Sequence, residues 1–237
     1  MKMFCLVHAG GFAMRYDAMA DMMAKKSNDG ITLIPLEYAG RGKKYGQPFY
    51  STFDELTHSM SEEIAGMLGP SEPYCLFGHS MGAYAAIETA YQMQKVHHNA
   101  PVMTILSGAA SPYVAAKQEV GMSNEEMIAY LRDIGGTEEN VLKNRIFETE
   151  LLPILQADLD TLRTYRFAHE GELLPSYIVA TYGQEDPAYR IGQVEDWKTV
   201  VGKDVVMQTF PGDHFYFEKD LDSYTNFLCE QYRKALA

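Results

Sequence analysis

Cysteine, long apolar runs and basic residues are all scarce in this 237-residue sequence. The three cysteines, Cys5, Cys75 and Cys229, are too few and too odd in number for a disulfide framework, so we expect reduced thiols and a cytoplasmic location. No apolar run approaches the roughly 18 residues that a membrane-spanning helix needs, and the N-terminal apolar stretch is too short for a signal peptide. Membrane insertion and secretion are therefore not expected.

Positive charge is also scarce, since 20 Lys and Arg stand against 32 Asp and Glu, for a net charge of −12. A polyanion would be repelled by such a chain, so we expect no nucleic-acid partner. The sequence also contains no P-loop, dinucleotide fingerprint or C-x-x-C pair, and its His97-His98 pair has no further ligands at metal-binding spacing. We therefore expect neither a bound cofactor nor a metal.

Short apolar runs alternate with segments of helical periodicity along most of the chain. This alternation predicts an α/β fold with a mostly parallel sheet, in one domain spanning 1–237. The runs are rich in Val, Ile, Leu, Phe and Tyr, as is typical of strands buried on both faces. The six strand candidates are Met3–His8, Ile31–Leu36, Tyr74–Gly78, Pro101–Ser107, Tyr177–Tyr182 and Asp204–Phe210.

The segment 111–171 interrupts this alternation, because it contains helix patterns and no convincing strand. Ser123–Glu126 has the capping-box sequence that begins a helix, and Gly135-Gly136 ends it. A parallel crossover needs only a dozen or so residues, so the surplus is interpreted as a helical lid insertion over the carboxyl edge of the sheet. The alternative is a set of additional helices packed on the sheet.

Residues Gly78 to Gly82 form a G-x-S-x-G motif centred on Ser80. A short apolar strand precedes it and a helix-forming run follows it, which is the context of a nucleophile elbow. The serine then lies at a helix N-terminus, where backbone N–H groups and the helix dipole stabilise a developing oxyanion. We therefore predict Ser80 as a nucleophile.

A serine nucleophile needs a general base, and in elbow proteins an acid and then a histidine follow the serine along the chain. The histidines after Ser80 are His97, His98, His169 and His214. His214 follows the last strand candidate and precedes the last helix, so we predict it as the base. His97 and His98 are interpreted as solvated loop residues.

The acid is expected on a loop after a strand between Ser80 and His214. The strand Tyr177–Tyr182 runs into such a loop, which contains Glu185 and Asp186. We predict Asp186 as the acid that holds the histidine tautomer and stabilises the imidazolium, with Glu185 as the alternative.

Two backbone N–H groups are expected to hold the oxyanion. One comes from the residue after the nucleophile, Met81, and the other from the loop after an early strand, where we predict Ala9. The alternative for Gly10-Gly11 in that loop is an ordinary strand-to-helix turn. His8 is interpreted as part of the loop's structure.

Six short segments occur in order along nearly the whole chain. They are H-A-G-G-F-A at His8–Ala13, Y-A-G-R-G at Tyr38–Gly42, G-H-S-M-G-A at Gly78–Ala83, S-G-A-A-S-P at Ser107–Pro112, L-L-P-I-L-Q-A-D-L at Leu151–Leu159 and P-G-D-H-F-Y at Pro211–Tyr216. Through these segments the chain resembles the type II, stand-alone thioesterases that accompany nonribosomal peptide and polyketide synthases, which are α/β-hydrolases. A departure is Ala39, where the family usually has proline.

The resemblance implies an α/β-hydrolase fold with a lid over an acyl channel, and a triad of Ser80, Asp186 and His214 with Ala9 and Met81 at the oxyanion hole. It implies hydrolysis of acyl, aminoacyl or peptidyl thioesters from the phosphopantetheine of carrier protein domains, which are transient partners of a monomeric enzyme. The alternative is a small-molecule carboxylesterase, or an acyl-CoA or fatty-acyl thioesterase without a synthase partner.

The carrier poses an electrostatic problem, because carrier domains are commonly acidic and so is this chain. We therefore expect local contacts rather than bulk charge attraction. The candidates are Arg41, Lys43 and Lys44, with an ordinary solvated basic loop as the alternative.

Overall fold

The computed structural model of the protein describes residues 1–26, 30–112, 122–186, 197–201 and 205–237. At its centre lies a six-stranded sheet in the order β2-β1-β3-β4-β5-β6, and each pair of neighbouring strands runs parallel. The strands are β1 Lys2–Leu6, β2 Thr32–Leu36, β3 Tyr74–His79, β4 Met103–Ser107, β5 Tyr177–Gly183 and β6 Val206–Phe210. The predicted α/β fold with a mostly parallel sheet is therefore confirmed.

The strand ends differ slightly from those predicted. Strand β1 ends at Leu6, before His8, and β4 begins at Met103, after Pro101. Ladder pairing rather than apolar composition decides where a strand ends, which is why sequence patterns locate strands better than their termini. The predicted first residue of the sixth strand, Asp204, lies outside the described residues.

Helices cover the sheet and connect its strands. They are α1 Asp17–Lys26, α2 Phe53–Met67, α3 Met81–His97, α4 Asn124–Ile134, α5 Glu139–Leu142, α6 Leu152–Arg163, α7 Trp197–Val201, α8 Tyr216–Lys219 and α9 Leu221–Leu236. Helix α3 is buried along most of its length and packs against α2, β3 and β4. Its many alanines suit this place, because a helix that is apolar on all sides belongs in the core.

The register of the parallel strands brings their carboxyl ends to one edge of the sheet. Gly78 at the end of β3 pairs with Leu6 on one side and Leu106 on the other. At the far side of the sheet, Gly183 at the end of β5 pairs with Phe210 at the end of β6. The loops that leave β1, β3, β5 and β6 therefore begin at the same edge, where ligands bind in open α/β sheets.

Between β4 and β5, the described residues form helices α4, α5 and α6 and no strand. Helix α4 begins with the predicted capping box, because Ser123 Oγ accepts from the Glu126 N–H and the Glu126 carboxylate accepts from the Ser123 N–H. One π-helical turn, Phe147–Leu151, leads directly into α6. Residues 113–121 of the predicted insertion lie outside the described residues, and its action as a lid stays a prediction.

The chain that follows α6 is attached to α3 through His169. Its Nε2 atom lies 2.7 Å from Glu88 Oε2, its Nδ1 atom lies 3.2 Å from Glu172 Oε2, and its ring stacks on Tyr91 at 4.0 Å between centroids. Glu88 also accepts from the Tyr165 hydroxyl at 2.9 Å. Burial acts to lower the pKa of His169, but the hydrogen bond and charge of Glu88, aided by Glu172, outweigh it, so the pKa is raised above 6.5.

A pH-dependent contribution to stability follows from this raised pKa. The His169 contact stabilises the fold fully below about pH 6.5 and loses its effect as the pH rises through the folded-state pKa. Lys95, 3.2 Å from His169 Nδ1, opposes the protonated form without reversing the shift. We expect His169→Gln to reduce the free energy of unfolding by about 1 kcal/mol at acidic pH and by less at alkaline pH, measured by urea unfolding across that range.

The control is His58→Gln, which changes an exposed histidine of α2 that lies away from this contact. It should leave the free energy of unfolding unchanged at each pH. An effect of His169→Gln that is equal at acidic and alkaline pH would contradict the prediction.

None of the helices in the described residues combines the length and the apolarity that crossing a bilayer requires.

Candidate active site

Ser80 lies in a sharp turn between β3 and α3, with φ 56° and ψ −121°. A non-glycine residue rarely adopts a positive φ, and such strain is characteristic of a nucleophile elbow. Gly78 and Gly82 make the turn possible, because a β-carbon at Gly78 would overlap the Gly82 carbonyl and one at Gly82 would overlap the Leu6 carbonyl. The turn is further held by the Ser80 N–H, which donates to the Ser107 carbonyl at 2.8 Å.

His214 and Asp186 meet on the loops that follow β6 and β5. His214 Nδ1 lies 2.9 Å from Asp186 Oδ2, and the two side chains are 6% and 1% exposed. His214 Nε2 is buried and makes no hydrogen bond within the described part of the chain. Because His214 and Ser80 line the same cavity, this nitrogen is available to accept a proton from a group bound there.

Glu185, the alternative acid, is hydrogen-bonded to the backbone of the histidine loop. Its Oε2 atom accepts from the Gly212 N–H at 2.6 Å, and its own N–H donates to the Gly212 carbonyl at 2.9 Å. These reciprocal hydrogen bonds join the acid loop to the histidine loop. The geometry therefore gives Glu185 a place in loop structure and puts Asp186 against the imidazole.

Two further imidazoles, His8 and His79, pack near His214. Burial, followed by the charges of Arg15 and His214, holds the pKa of His8 well below 6.5. Burial, followed by the charge of His214, does the same to the pKa of His79. Both rings are therefore neutral at pH 7, whereas the His214 ring lies against the Asp186 carboxylate.

Each neutral histidine has its own structural partner. His8 Nδ1 lies 2.8 Å from the Tyr16 hydroxyl, in agreement with its predicted place in the loop's structure. His79 Nδ1 lies 2.9 Å from Ser107 Oγ, which is 2.6 Å from the Tyr216 hydroxyl. The ring centroids of His79 and His214 are 4.7 Å apart, so this buried network supports one side of His214.

The loop after β1 lies beside Ser80 on the wall of the same cavity. The Gly11 N–H donates to the His8 carbonyl at 2.9 Å, which makes the loop turn sharply. Within the described residues, the Ala9 N–H has no acceptor. Met81 begins α3, so its N–H lacks an intrahelical acceptor. In the part of the chain that the structure describes, both predicted oxyanion donors therefore lack a backbone acceptor.

The cavity above Ser80 has a volume of about 430 Å³. Much of its wall comes from the helical segment between β4 and β5, and these side chains are largely apolar. They include Leu131, Ile134, Phe147, Leu151 and Leu155. Such a chamber suits an apolar group of moderate size next to the serine. The described residues contain no group of three or more His, Cys, Asp or Glu side chains arranged to hold a metal ion.

Two expectations about polar residues prove wrong. Arg41 is 1% exposed and forms a bidentate ion pair with Asp158, so it is not a basic residue available to a partner. His97 ends α3 and lies 3.1 Å from Glu62, rather than in a solvated loop. The helix is longer than its apolar pattern suggests, and its C-cap is His98 in the left-handed region.

A parallel sheet with a strained serine after its third strand, and an Asp–His pair after its fifth and sixth, has the architecture of the α/β-hydrolases. The family model described as "Thioesterase domain" matches residues 1–235. The chain therefore belongs to the thioesterase family and is a hydrolase that acts on thioester bonds. The resemblance that its motifs carry is confirmed.

Individual relatives agree with this assignment. The gramicidin S biosynthesis protein GrsT of Aneurinibacillus migulanus is 27% identical over 239 residues, which cover 100% of this chain and 91% of GrsT. The medium-chain S-acyl fatty acid synthase thioesterase of Rattus norvegicus is 26% identical over 226 residues, covering 92% of this chain and 82% of the relative. The crystal structure of ClbQ from the colibactin NRPS/PKS pathway superposes with a TM-score of 0.87 at 25% identity, covering 99% and 97% of the two chains.

Proposed function

We propose that this thioesterase hydrolyses acyl groups from the phosphopantetheine arm of carrier domains in a nonribosomal peptide or polyketide synthase, through an acyl-Ser80 intermediate. The observation that carries the mechanism is the buried Asp186–His214 hydrogen bond, with His214 Nε2 unbonded in the described structure and beside the cavity that Ser80 lines. The similarity to ClbQ, which comes from the colibactin NRPS/PKS pathway, and to GrsT, a gramicidin S biosynthesis protein, supports the choice of substrate.

In the first half of the reaction, Ser80 Oγ attacks the thioester carbonyl carbon and His214 Nε2 takes the hydroxyl proton. The Ala9 and Met81 N–H groups bind the oxyanion, which is where preorganised donors lower the barrier most. The C–S bond then breaks, and the pantetheine sulfur leaves with the proton from His214. Ser80 now carries the acyl group as an ester.

In the second half, a water molecule attacks the ester carbonyl while His214 takes its proton. The same N–H groups bind the second oxyanion, and the C–O bond to Ser80 breaks. The proton returns from His214 to Ser80 Oγ, and the carboxylic acid leaves. Asp186 holds the His214 ring in place and stabilises the imidazolium that forms in each half of the reaction. The proposed route uses protein groups alone, without a cofactor.

A carrier must dock at the cavity by local contacts, because the chain carries a net charge of −12 and Arg41 is buried. Met14 is 73% exposed and lines the cavity, so it presents apolar surface where the arm would enter. Contacts of this kind fit a transient encounter with a small domain.

A second function, the hydrolysis of fatty-acyl thioesters without a carrier partner, is favoured by the medium-chain relative and by the apolar cavity. One experiment separates the two. The same acyl group is offered on a holo-carrier domain, on free pantetheine, on coenzyme A and as a nitrophenyl ester, and kcat/KM is measured for each. The free pantetheine thioester is the matched control, because it has the arm and lacks the carrier.

We expect kcat/KM on the carrier to exceed that on free pantetheine by at least about tenfold, or about 1.4 kcal/mol of recognition by the carrier surface. Equal values on carrier, pantetheine and coenzyme A would reject the carrier as substrate and favour the second function. Turnover of the nitrophenyl ester with no turnover of any thioester would reject both.

A further inference from the structure

A buried ion pair between Arg41 and Asp158 binds the loop that carries Ala9. Asp158, on α6, accepts from the Gly10 N–H at 2.7 Å through Oδ2. Arg41, in the loop after β2, donates to the Gly11 carbonyl at 3.0 Å and to Asp158 Oδ2 at 2.6 Å. A second Arg41 nitrogen donates to Asp158 Oδ1. Two side chains that are far apart in the chain therefore converge on two consecutive residues of this loop.

The burial of this pair needs an explanation beyond stability. The Arg41 and Asp158 side chains are 1% and 5% exposed. A buried ion pair often contributes no more stability than apolar residues of the same volume, because desolvation offsets the attraction between the charges. The pair does provide a fixed geometry, because the planar guanidinium and the carboxylate hold the groups that they bond in defined directions.

The loop has little freedom once these hydrogen bonds form. The Gly10 N–H is bonded to Asp158 and the Gly11 N–H to the His8 carbonyl. At the far end of the loop, the Ala13 N–H donates to Glu37 Oε1 at 3.1 Å. Gly10 has φ +72° and lies against Leu155, one turn before Asp158 on α6. The loop is held on both sides of Ala9, whose N–H is free within the described residues.

We propose that Arg41 and Asp158 are positioning residues, which hold the loop from His8 to Phe12 so that the Ala9 N–H is directed at the oxyanion. This inference rests on the proposed function, because it takes Ala9 as an oxyanion donor. It also links α6 to the reaction, because Asp158 lies on that helix and accepts a hydrogen bond from the loop.

The test is the double variant Arg41→Met/Asp158→Leu, which replaces the pair by apolar side chains of similar length. Replacing a buried ion pair by apolar side chains of similar volume often preserves stability. Changing only one partner leaves the other charge buried and uncompensated. The loop then loses two of its anchors, and the expected result is a fall in kcat of about 10- to 100-fold with KM changed by no more than about threefold. Activity is normalised to sites titrated to completion with a fluorophosphonate, so unfolded protein does not count.

The matched control is Glu63→Gln, which removes the partly buried ion pair that Glu63 makes at 2.5 Å with Lys44, a residue from the same region of chain as Arg41. Its kcat should equal that of the native protein. If the double variant does not fold, Arg41→Lys replaces it, because lysine keeps the charge opposite Asp158 but lacks the planar guanidinium that contacts Asp158 and the Gly11 carbonyl together. A fall in kcat of more than about twofold is then expected.

A correctly folded variant with kcat within about twofold of the native value would overturn the positioning role, as would an effect confined to KM. Ser80→Ala in the same assay separates this failure from failure of the proposed function. An inactive Ser80→Ala beside a fully active double variant rejects the positioning role alone. An active Ser80→Ala rejects the proposed mechanism itself.

Discussion

Replacing Ser80 by alanine lowers the rate of thioester hydrolysis by at least about 10⁴-fold, because without the hydroxyl no acyl-enzyme forms. The residual rate comes from the oxyanion donors and substrate binding, which the change leaves in place. Since alanine keeps the β-carbon and meets the same positive φ, the free energy of unfolding should stay within about 1 kcal/mol of the native value. The measurement is kcat on an acyl-pantetheine thioester, with mass spectrometry to detect acylated protein.

Ser59→Ala is the control for this change, since it removes a hydroxyl from α2 that is bonded to Tyr50 at 3.0 Å. Its turnover should match that of the native protein. Detection of an acyl-enzyme in the Ser80→Ala variant, or turnover close to native, would contradict the assignment of the nucleophile.

The second large effect is expected at Asp186. An asparagine there keeps the side-chain volume, but its amide favours the wrong tautomer of His214 and cannot stabilise the imidazolium. Asp186 is 1% exposed and lies 2.9 Å from His214 Nδ1, so an ion from solvent cannot take the place of its carboxylate. We expect Asp186→Asn to lower kcat by about 10⁴-fold, because the imidazolium that forms during the reaction loses its counter-charge. The measurement is kcat as a function of pH.

Glu185→Gln is the matched control, since it removes one carboxylate charge from the neighbouring position. Its amide oxygen can still accept from the Gly212 N–H, so we expect kcat to stay within about tenfold of the native value. A larger loss at Glu185 than at Asp186 would exchange the two roles.

Much of the fold was predictable because its signals are local. Strands buried on both faces produce apolar runs such as those of β3 and β5, and a capping box at Ser123 is visible in four consecutive residues. The strained turn at Ser80 was also predictable, because only glycines fit at Gly78 and Gly82. In each case the residues that produce the feature are close together in the chain.

The length of α3 and the environment of Arg41 were not predictable in this way. The α3 helix extends past its apolar stripe to His97, which lies against Glu62 on the adjacent helix α2. Arg41 reads as a surface residue beside Lys43 and Lys44, yet its partner Asp158 lies 117 positions away. A charged side chain is buried when packing places an opposite charge beside it. The pattern of residues along the sequence does not show which distant residues will meet in this way.

Sequence patterns alone predicted the fold class, the family and the candidate residues Ser80, Asp186 and His214. They could do so because the parallel order of strands carries residues at successive strand ends to one edge of the sheet. The folded chain was needed to show which acid contacts His214, which histidines burial keeps neutral, and which side chains hold the loop of Ala9. Those properties depend on distances between side chains from separate elements, which exist only after the chain has folded.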